Sequence, residues 1–590
     1  MRRFESFPLR FSNLSQKLSW GKIGAWLGLG LLLLGIAFRL INLETKIFWV
    51  DEVATAVRVG GYTQAELTEL SLSTAIGVES VGVESVGTES VGTASVGTES
   101  VGTASAGTES VRTAADFLQL VHGSLDRPPS ATLQALLKSP EHAPLYFLLA
   151  RGWADMFGRS PLALRSLSVC LSLLALPCLF WVCLEWLGQP LVSWLAVGLM
   201  AISPLFIAYA QEARPYSLWV LLLLLSGGCL LRALRRDHWR SWLAYGVTLT
   251  LALYTSLLSL PIVLAQAVYV WGVAQGRSTP SMRRAVGAIA LSLVAFLPWV
   301  VVILSQWDTL QRNTAWMQQS LDLPALIGIW LYSLSILVFD FPVAPLQSPL
   351  TVLQILTSVV ILGFFGVALR HLIQQTPFRT WGFVVALAFP TPVLLVLADS
   401  LLGGQRSTAP RYWIAAHIGL VLLIAAWLSL QIHPSFPRRP TLRLWPSVLV
   451  IVLTLSLASS IGNLGRSPRY LKSRNLHNGA IATLINQAPS ARLLTAPENL
   501  YDLISLSHSL NPTTPIQILS LESGQPRPTP QAPTPQAKAS CAPTTFLFNP
   551  SQRLITSLEA RPISLQQVYN PQLLIPTELA LTLWRIQPPC

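Results

Sequence analysis

Residues 23–41 read IGAWLGLGLLLLGIAFRLI, and residues 42–52 continue as NLETKIFWVDE. The first stretch carries a single charged residue, Arg39, and is close to the roughly 20 residues that a bilayer-spanning helix needs. Basic residues precede it (Arg2, Arg3, Arg10, Lys17, Lys22) and no small-residue cleavage site follows. It therefore reads as an uncleaved first transmembrane helix behind a cytoplasmic N-terminal arm, residues 1–22. The second stretch, ending on Asp51 and Glu52, then emerges on the outer side.

Similar apolar runs recur near 163–185, 190–208, 217–231, 241–255, 257–273, 285–304, 350–369, 380–398, 411–430 and 444–462. The chain has 590 residues, 52% of them hydrophobic and 11% charged, with a mean hydropathy of +0.52. That balance is too apolar for an ordinary soluble domain. The formal net charge of +13 does not indicate nucleic acid, because the basic residues cluster in short loops between apolar runs. Arg232, Arg235, Arg236 and Arg240, then Arg277, Arg283 and Arg284, and later Arg438, Arg439 and Arg443, mark cytoplasmic loops. The expected fold is a polytopic α-helical membrane protein with about 11 spanning helices, or about 13 if interfacial segments such as 323–342 insert fully. Residues 23–463 form the membrane domain, with a first outer loop over 42–162. Residues 464–590 are polar and Pro-rich, and read as a small extracytoplasmic α/β domain with short strands near 491–495, 516–519 and 545–548.

Two segments are low in complexity. Within 76–112 a five-residue unit of the type Val-Glu-Ser-Val-Gly repeats, too polar and Gly-rich to build a core, and it reads as an insertion in the first outer loop. Residues 525–543 are rich in Pro, Gln and Thr and read as an extended loop. Of the six cysteines, Cys170, Cys178, Cys183 and Cys229 fall in apolar runs as small buried residues, whereas Cys541 and Cys590 lie in the polar tail, where an oxidising compartment permits pairing.

Four polar constellations fall on the outer face. At the exit of the first helix stands Phe48-Trp49-Val50-Asp51-Glu52. Adjacent carboxylates at an interface hold protons more tightly, which suits a general base near neutral pH, although an Asp at a helix start is also a good N-cap. The second is His142-Ala143-Pro144-Leu145-Tyr146, with Trp153, Phe157-Gly158 and Arg165, on a short amphipathic helix; His142 and Tyr146 can meet a phosphate or an acceptor, or can be structural. The third is Gln211-Glu212-Ala213-Arg214-Pro215-Tyr216, where Glu212 and Arg214 bind substrate or pair with each other. The fourth joins Gly403-Gly404-Gln405-Arg406 to Pro410-Arg411-Tyr412-Trp413. Guanidinium groups are shaped to hold a phosphate, and the same residues also suit an aromatic and Arg anchor at the interface.

In order and spacing these motifs resemble the integral-membrane GT-C glycosyltransferases, in particular bacterial members similar to protein mannosyltransferases and aminoarabinose lipid A transferases. The resemblance runs from about Leu31 to Leu430 and rests on Trp49-x-Asp51-Glu52, His142-x-Pro144-Leu145-Tyr146, Ser203-Pro204 before Gln211-Glu212-Ala213-Arg214-x-Tyr216, and Arg411-Tyr412. Such enzymes often carry His-Pro-Pro-Leu-Tyr where this chain has Ala143, and a His after Tyr254-Thr255 where it has Ser256. The resemblance implies a polyprenyl-phosphate sugar donor reached from the outer leaflet of the cytoplasmic membrane, and a lipid, glycan or protein acceptor. It implies Asp51 as the base and Arg411, with Arg214 or Arg406, as the holder of the departing phosphate, with inversion at the sugar. Glu52 would assist Asp51 or help it hold a divalent cation such as Mg²⁺ or Ca²⁺. A transporter or flippase of a lipid-linked sugar is the alternative. Transporters place their charges near the midplane of two similar halves, and neither trait is visible in this sequence.

Overall fold

The computed structural model describes residues 14–72, 76–77, 111–123, 126–340, 349–432, 444–465, 472–520, 544–560, 563–571 and 581–587. Most of the pentad repeat, the Pro-rich loop, the Arg438, Arg439 and Arg443 cluster, Cys541 and Cys590 lie outside them.

The opening apolar run forms helix α1 (Leu14–Leu40). It packs against the helix Pro190–Ile202 through small residues. A Cβ at Gly35 would stand 2.4 Å from the Ala201 carbonyl oxygen, and one at Gly28 would meet the Trp194 ring at 2.7 Å. Without a hydrophobic driving force between helices in lipid, such backbone approach is what van der Waals packing requires. Arg39, wholly buried, locks the same junction: its guanidinium donates to Ser172 Oγ at 2.9 Å, Ala201 O at 2.6 Å and Met200 O at 3.2 Å. A buried cation at the end of an apolar helix is tolerable because its donors are satisfied in this way.

Among the described residues five helices are long and apolar enough to cross a bilayer: Pro161–Leu187, Tyr216–Arg236, Pro280–Ser305, Val352–Gln375 and Pro410–Gln431. Counting each of two bent pairs as one span raises this to seven. The expected continuous helices at 190–208 and 380–398 are those pairs, broken by 62° between Ile202 and Pro204 and by 46° between Ala388 and Pro390. Proline removes a backbone donor and clashes with the preceding turn, which accounts for both breaks. Shorter apolar helices, Gly24–Leu40, Ser259–Val273, Leu323–Ser335 and Ser447–Gly462, make up much of the difference from the sequence-based expectation. A 15-residue helix is about 22 Å long, less than the ~30 Å hydrocarbon core.

Beyond Glu44 the chain turns into α2 (Val50–Val59), whose residues from Glu52 to Val59 are all buried. The chain also forms a seven-stranded sheet. Its strands are β1 (Ile76–Gly77), β2 (Arg112–Thr113), β3 (Arg492–Thr495), β4 (Pro515–Ser520), β5 (Thr545–Phe548), β6 (Ser564–Tyr569) and β7 (Leu583–Gln587), in the order β1-β4-β3-β5-β7-β6, with β2 also pairing with β4. β3 is parallel to both β4 and β5, and its last three residues are buried, as expected of a central strand covered on both faces. The helix Leu500–Ser507 makes the crossover from β3 to β4 and packs on α2. β1 and β2 belong to the segment between α1 and the helix Pro161–Leu187, so the two ends of the repeat segment add to a sheet otherwise built by the C-terminal region.

Candidate active site

The Ile47–Glu52 segment is where the four constellations begin to meet. Trp49 is the N-cap of α2, extended at φ −87° and ψ 172°, and supplies no side-chain cap. Asp51 and Glu52 fall in the first helical turn, where the helix dipole favours negative charge. One turn geometry sends the two carboxylates to different surroundings.

Glu52 points inward. Arg165 grips it with a fork, Nε to Oε1 at 2.7 Å and Nη2 to Oε2 at 2.8 Å, while Lys472 Nζ donates to Oε2 at 3.0 Å and the Ala213 N–H to Oε1 at 3.0 Å. Burial alone would raise this carboxyl, but the Arg165 and Lys472 charges and those hydrogen bonds outweigh it and hold it down at about 2. Arg165 also donates to the carbonyls of Leu43, Lys46 and Ile47, so the pair ties the loop to the helix Pro161–Leu187. Lys46 donates in turn to Gln211 Oε1 at 2.5 Å.

Asp51 points the other way and keeps 25% of its side chain exposed. Its Oδ2 lies 3.8 Å from Arg214 Nη2 and 3.7 Å from Arg411 Nη1. Arg214 Nη1 further donates to the Asp51 carbonyl and to Thr55 Oγ1, both at 3.2 Å, which fixes it along α2. Arg411 sits 5.7 Å from the Trp49 ring centroid and 5.4 Å from that of Tyr412, within cation–π reach of both. The loop that presents Arg411 begins at Gly403 and Gly404, both at positive φ; a Cβ on Gly404 would lie 2.6 Å from Met317 O.

Arg406 is placed elsewhere. Its Nη1 donates to Asp399 Oδ1 at 3.1 Å and to Gly403 O at 2.6 Å, so it closes the Gly403–Arg411 loop rather than facing Asp51. Glu212 does not pair with Arg214: it is wholly buried, and neither carboxyl oxygen has a hydrogen-bond partner among the described residues. Burial pushes it up to about 8, with Glu52 and Asp51 adding to the shift and Lys472 opposing it. His142 stacks near Phe147 at 5.2 Å, with Nε2 3.7 Å from Glu141 Oε1. Burial, with the Arg58 and Arg214 charges, drives its pKa well below the imidazole range, so it is neutral. The Tyr146 hydroxyl and Ser168 Oγ share a hydrogen bond of 2.9 Å in the core.

The structure thus gathers Asp51, Arg214, Arg411 and Tyr412 at one partly open spot. Beneath it lie Glu52 and Glu212, with Lys46, Arg165 and Lys472 as cationic support. Lys46 and Lys472 carry no motif: nothing in their neighbourhood distinguishes them from any loop lysine. A divalent ion finds no donor set on this pair, since the Glu52 oxygens are taken by Arg165, Lys472 and Ala213, and two guanidinium groups face Asp51. Among the described residues no group of three or more His, Cys, Asp or Glu side chains is placed to hold a metal.

Residues 141–302 match the family described as dolichyl-phosphate-mannose-protein mannosyltransferase. The matched segment contains His142, Tyr146, Arg165, Glu212 and Arg214, whereas Asp51, Arg411 and Lys472 are brought to it from either side. Similar solved structures include the apo oligosaccharyltransferase of Archaeoglobus fulgidus (12% identity, 64% of this chain and 56% of that one, TM-score 0.38). ArnT from Cupriavidus metallidurans is another, solved bound to undecaprenyl phosphate (16% identity, 76% of this chain and 88% of that one, TM-score 0.35) and in the apo state (15% identity, 75% and 87%, TM-score 0.34). The chain thus spans little more than half of the archaeal enzyme's length. No curated protein sequence matches the chain.

Proposed function

We propose that this protein is a membrane glycosyltransferase that moves a sugar from a polyprenyl-phosphate donor to a hydroxyl acceptor on the outer face of the cytoplasmic membrane. The observation that carries the reading is the quarter-exposed Asp51 carboxylate set between two guanidinium groups, Arg214 and Arg411. A phosphate entering there would draw both cations to itself and free the carboxylate for the acceptor. Asp51 then takes the acceptor hydroxyl proton as that oxygen attacks the anomeric carbon. The bond from that carbon to the phosphate oxygen breaks, and its electron pair leaves with the polyprenyl phosphate against Arg411 and Arg214. No protein-bound sugar forms, so the anomeric centre inverts. Preorganised cations at a departing phosphate need no strong acid beside them.

Wild-type protein in lipid nanodiscs, given a panel of polyprenyl-phosphate sugars with candidate acceptors, is expected to release polyprenyl phosphate. Asp51→Asn is expected to lower kcat by about 10²–10⁴, the usual contribution of a positioned base. Undiminished turnover in that variant would remove Asp51 from the role. Transbilayer movement of a donor without any turnover would favour the flippase reading. For the side of the membrane, an exposed position on the loop facing Gly403, Ser320→Cys, is expected to react with an impermeant thiol reagent from outside whole cells.

A further inference from the structure

α2 begins without a cap of its own. The first N–H groups of a helix have no partner within it, and Trp49 at the N-cap has no side chain able to accept. The Val50 N–H nevertheless has an acceptor, Asn475 Oδ1 at 2.9 Å, from 425 residues further along the chain. Asn475 is fully buried, and its Nδ2 donates to Asp502 Oδ1 at 3.0 Å. An ionised carboxylate only accepts, so Asp502 obliges Asn475 to turn its NH₂ that way and its carbonyl oxygen toward Val50. Arg474 holds Asp502 in place, Nε lying 2.8 and 2.9 Å from the two carboxylate oxygens. On either side, Ser505 Oγ donates to Phe48 O at 2.7 Å, and Lys472 reaches both Glu52 Oε2 and the Ile47 carbonyl.

We infer that the C-terminal α/β unit is part of the catalytic apparatus, and that Asn475, oriented by Asp502 and Arg474, is a positioning residue that sets the start of α2 and with it the Asp51 carboxylate against Arg214 and Arg411. The inference rests on the assignment of Asp51 as the base. The chain of contacts runs from a partly buried ion pair, through one amide, to the backbone one residue before Asp51. It therefore controls where a carboxylate points without touching substrate. A displacement of about 1 Å at a reacting group is enough to cost about a hundredfold.

The test uses the full chain in nanodiscs and two variants: Asn475→Ala, which deletes the cap, and the exchange Asn475→Asp with Asp502→Asn, which keeps an acceptor for Val50, a donor between the two side chains and the same net charge. Hydrogen–deuterium exchange of the peptide covering Ile47–Thr55 is expected to rise in Asn475→Ala and to return toward wild type in the exchanged pair, independent of any substrate. With undecaprenyl-phosphate mannose as the probe donor, Asn475→Ala is expected to lose about tenfold or more in kcat with KM little changed, and the exchanged pair to recover most of it. Unaltered exchange of that peptide in Asn475→Ala overturns the inference. So does a loss of turnover accompanied by a matching loss of thermal stability that the exchanged pair does not restore. Asp51→Asn is measured in parallel: full turnover there removes the base, whereas an inactive Asp51→Asn beside a fully active Asn475→Ala removes the positioning role alone.

Discussion

Replacing Glu52 by glutamine strands Arg165 and Lys472 with an uncompensated charge in the interior. Breaking a buried ion pair from one side typically costs about 3–5 kcal/mol. Glu52→Gln is therefore expected to lower the thermal unfolding midpoint sharply, whereas Asp51→Asn, at a quarter-exposed site, should leave it little changed while removing turnover. Equal midpoints for the two variants would contradict the division of roles between the neighbours. Glu212 allows a pH test. Its folded pKa, about 8, lies above the ordinary 4.5, so the native state binds more protons than the unfolded one between those values. Stability from this group is then complete at low pH and is lost as pH rises toward 8. Burial holds His122 and His508 at about 4 and about 3, so these groups work in the opposite sense below pH 6.5. Lys46, held down to about 7 by burial and by the Lys472 and Arg165 charges, also works in the opposite sense above that value, so Glu212 is read as the difference between wild type and Glu212→Gln from pH 6.5 to 8, over which the wild-type midpoint is expected to drop relative to that of the variant. Asp51 was legible in the sequence because a carboxylate pair at the exit of an apolar helix is costly and has few uses. The partners of Glu52 were less so. Arg165 stood inside a readable motif, but Lys472 and Asn475 lie at least 420 residues from the groups they hold, in a stretch with no period or motif.

At the scale of elements, the closeness of α1 to the helix Pro190–Ile202 depends on positions with no side chain. Gly35→Ala would drive a methyl to within 2.4 Å of a backbone carbonyl, which must move. Overpacking of this kind costs about 1–3 kcal/mol. Gly30, on the same helix, has open space for 4 Å around the place a methyl would take, so Gly30→Ala is the matched control and should leave the unfolding midpoint unchanged or slightly raised, alanine being the better helix former. A Gly35→Ala variant as stable as Gly30→Ala would mean that the two helices are not seated as described. Apolar runs announced most of the membrane helices, because exclusion of charge over ~20 residues is a strong signal. The breaks at Pro204 and Pro390 were visible only as prolines, since bend angles depend on what packs in the elbow. Strands β3, β4 and β5 were readable from short apolar runs between polar and Pro-rich stretches. The two-residue strands β1 and β2 were not, because pairing so brief leaves no pattern in sequence.

For the whole molecule, the segment before α2, the helix Leu500–Ser507 and the sheet behind it converge on the membrane core from distant parts of the chain. Both flanks of the repeat segment end on one strand: Gly77 pairs with Ser520, and Arg112 with Ile516. Four residues along a strand span about 13 Å, so a short Gly-Ser linker can replace residues 78–110. That replacement is expected to leave both the unfolding midpoint and donor turnover near wild type, and a collapse of either would give the repeat a role in the site. The same anchoring has a consequence for inheritance. Tandem units in a gene are gained and lost by slippage during replication, and whole units preserve the reading frame. Here each such change enters between two points already fastened to one strand, so the repeat number can change while both anchors on β4 stay where they are.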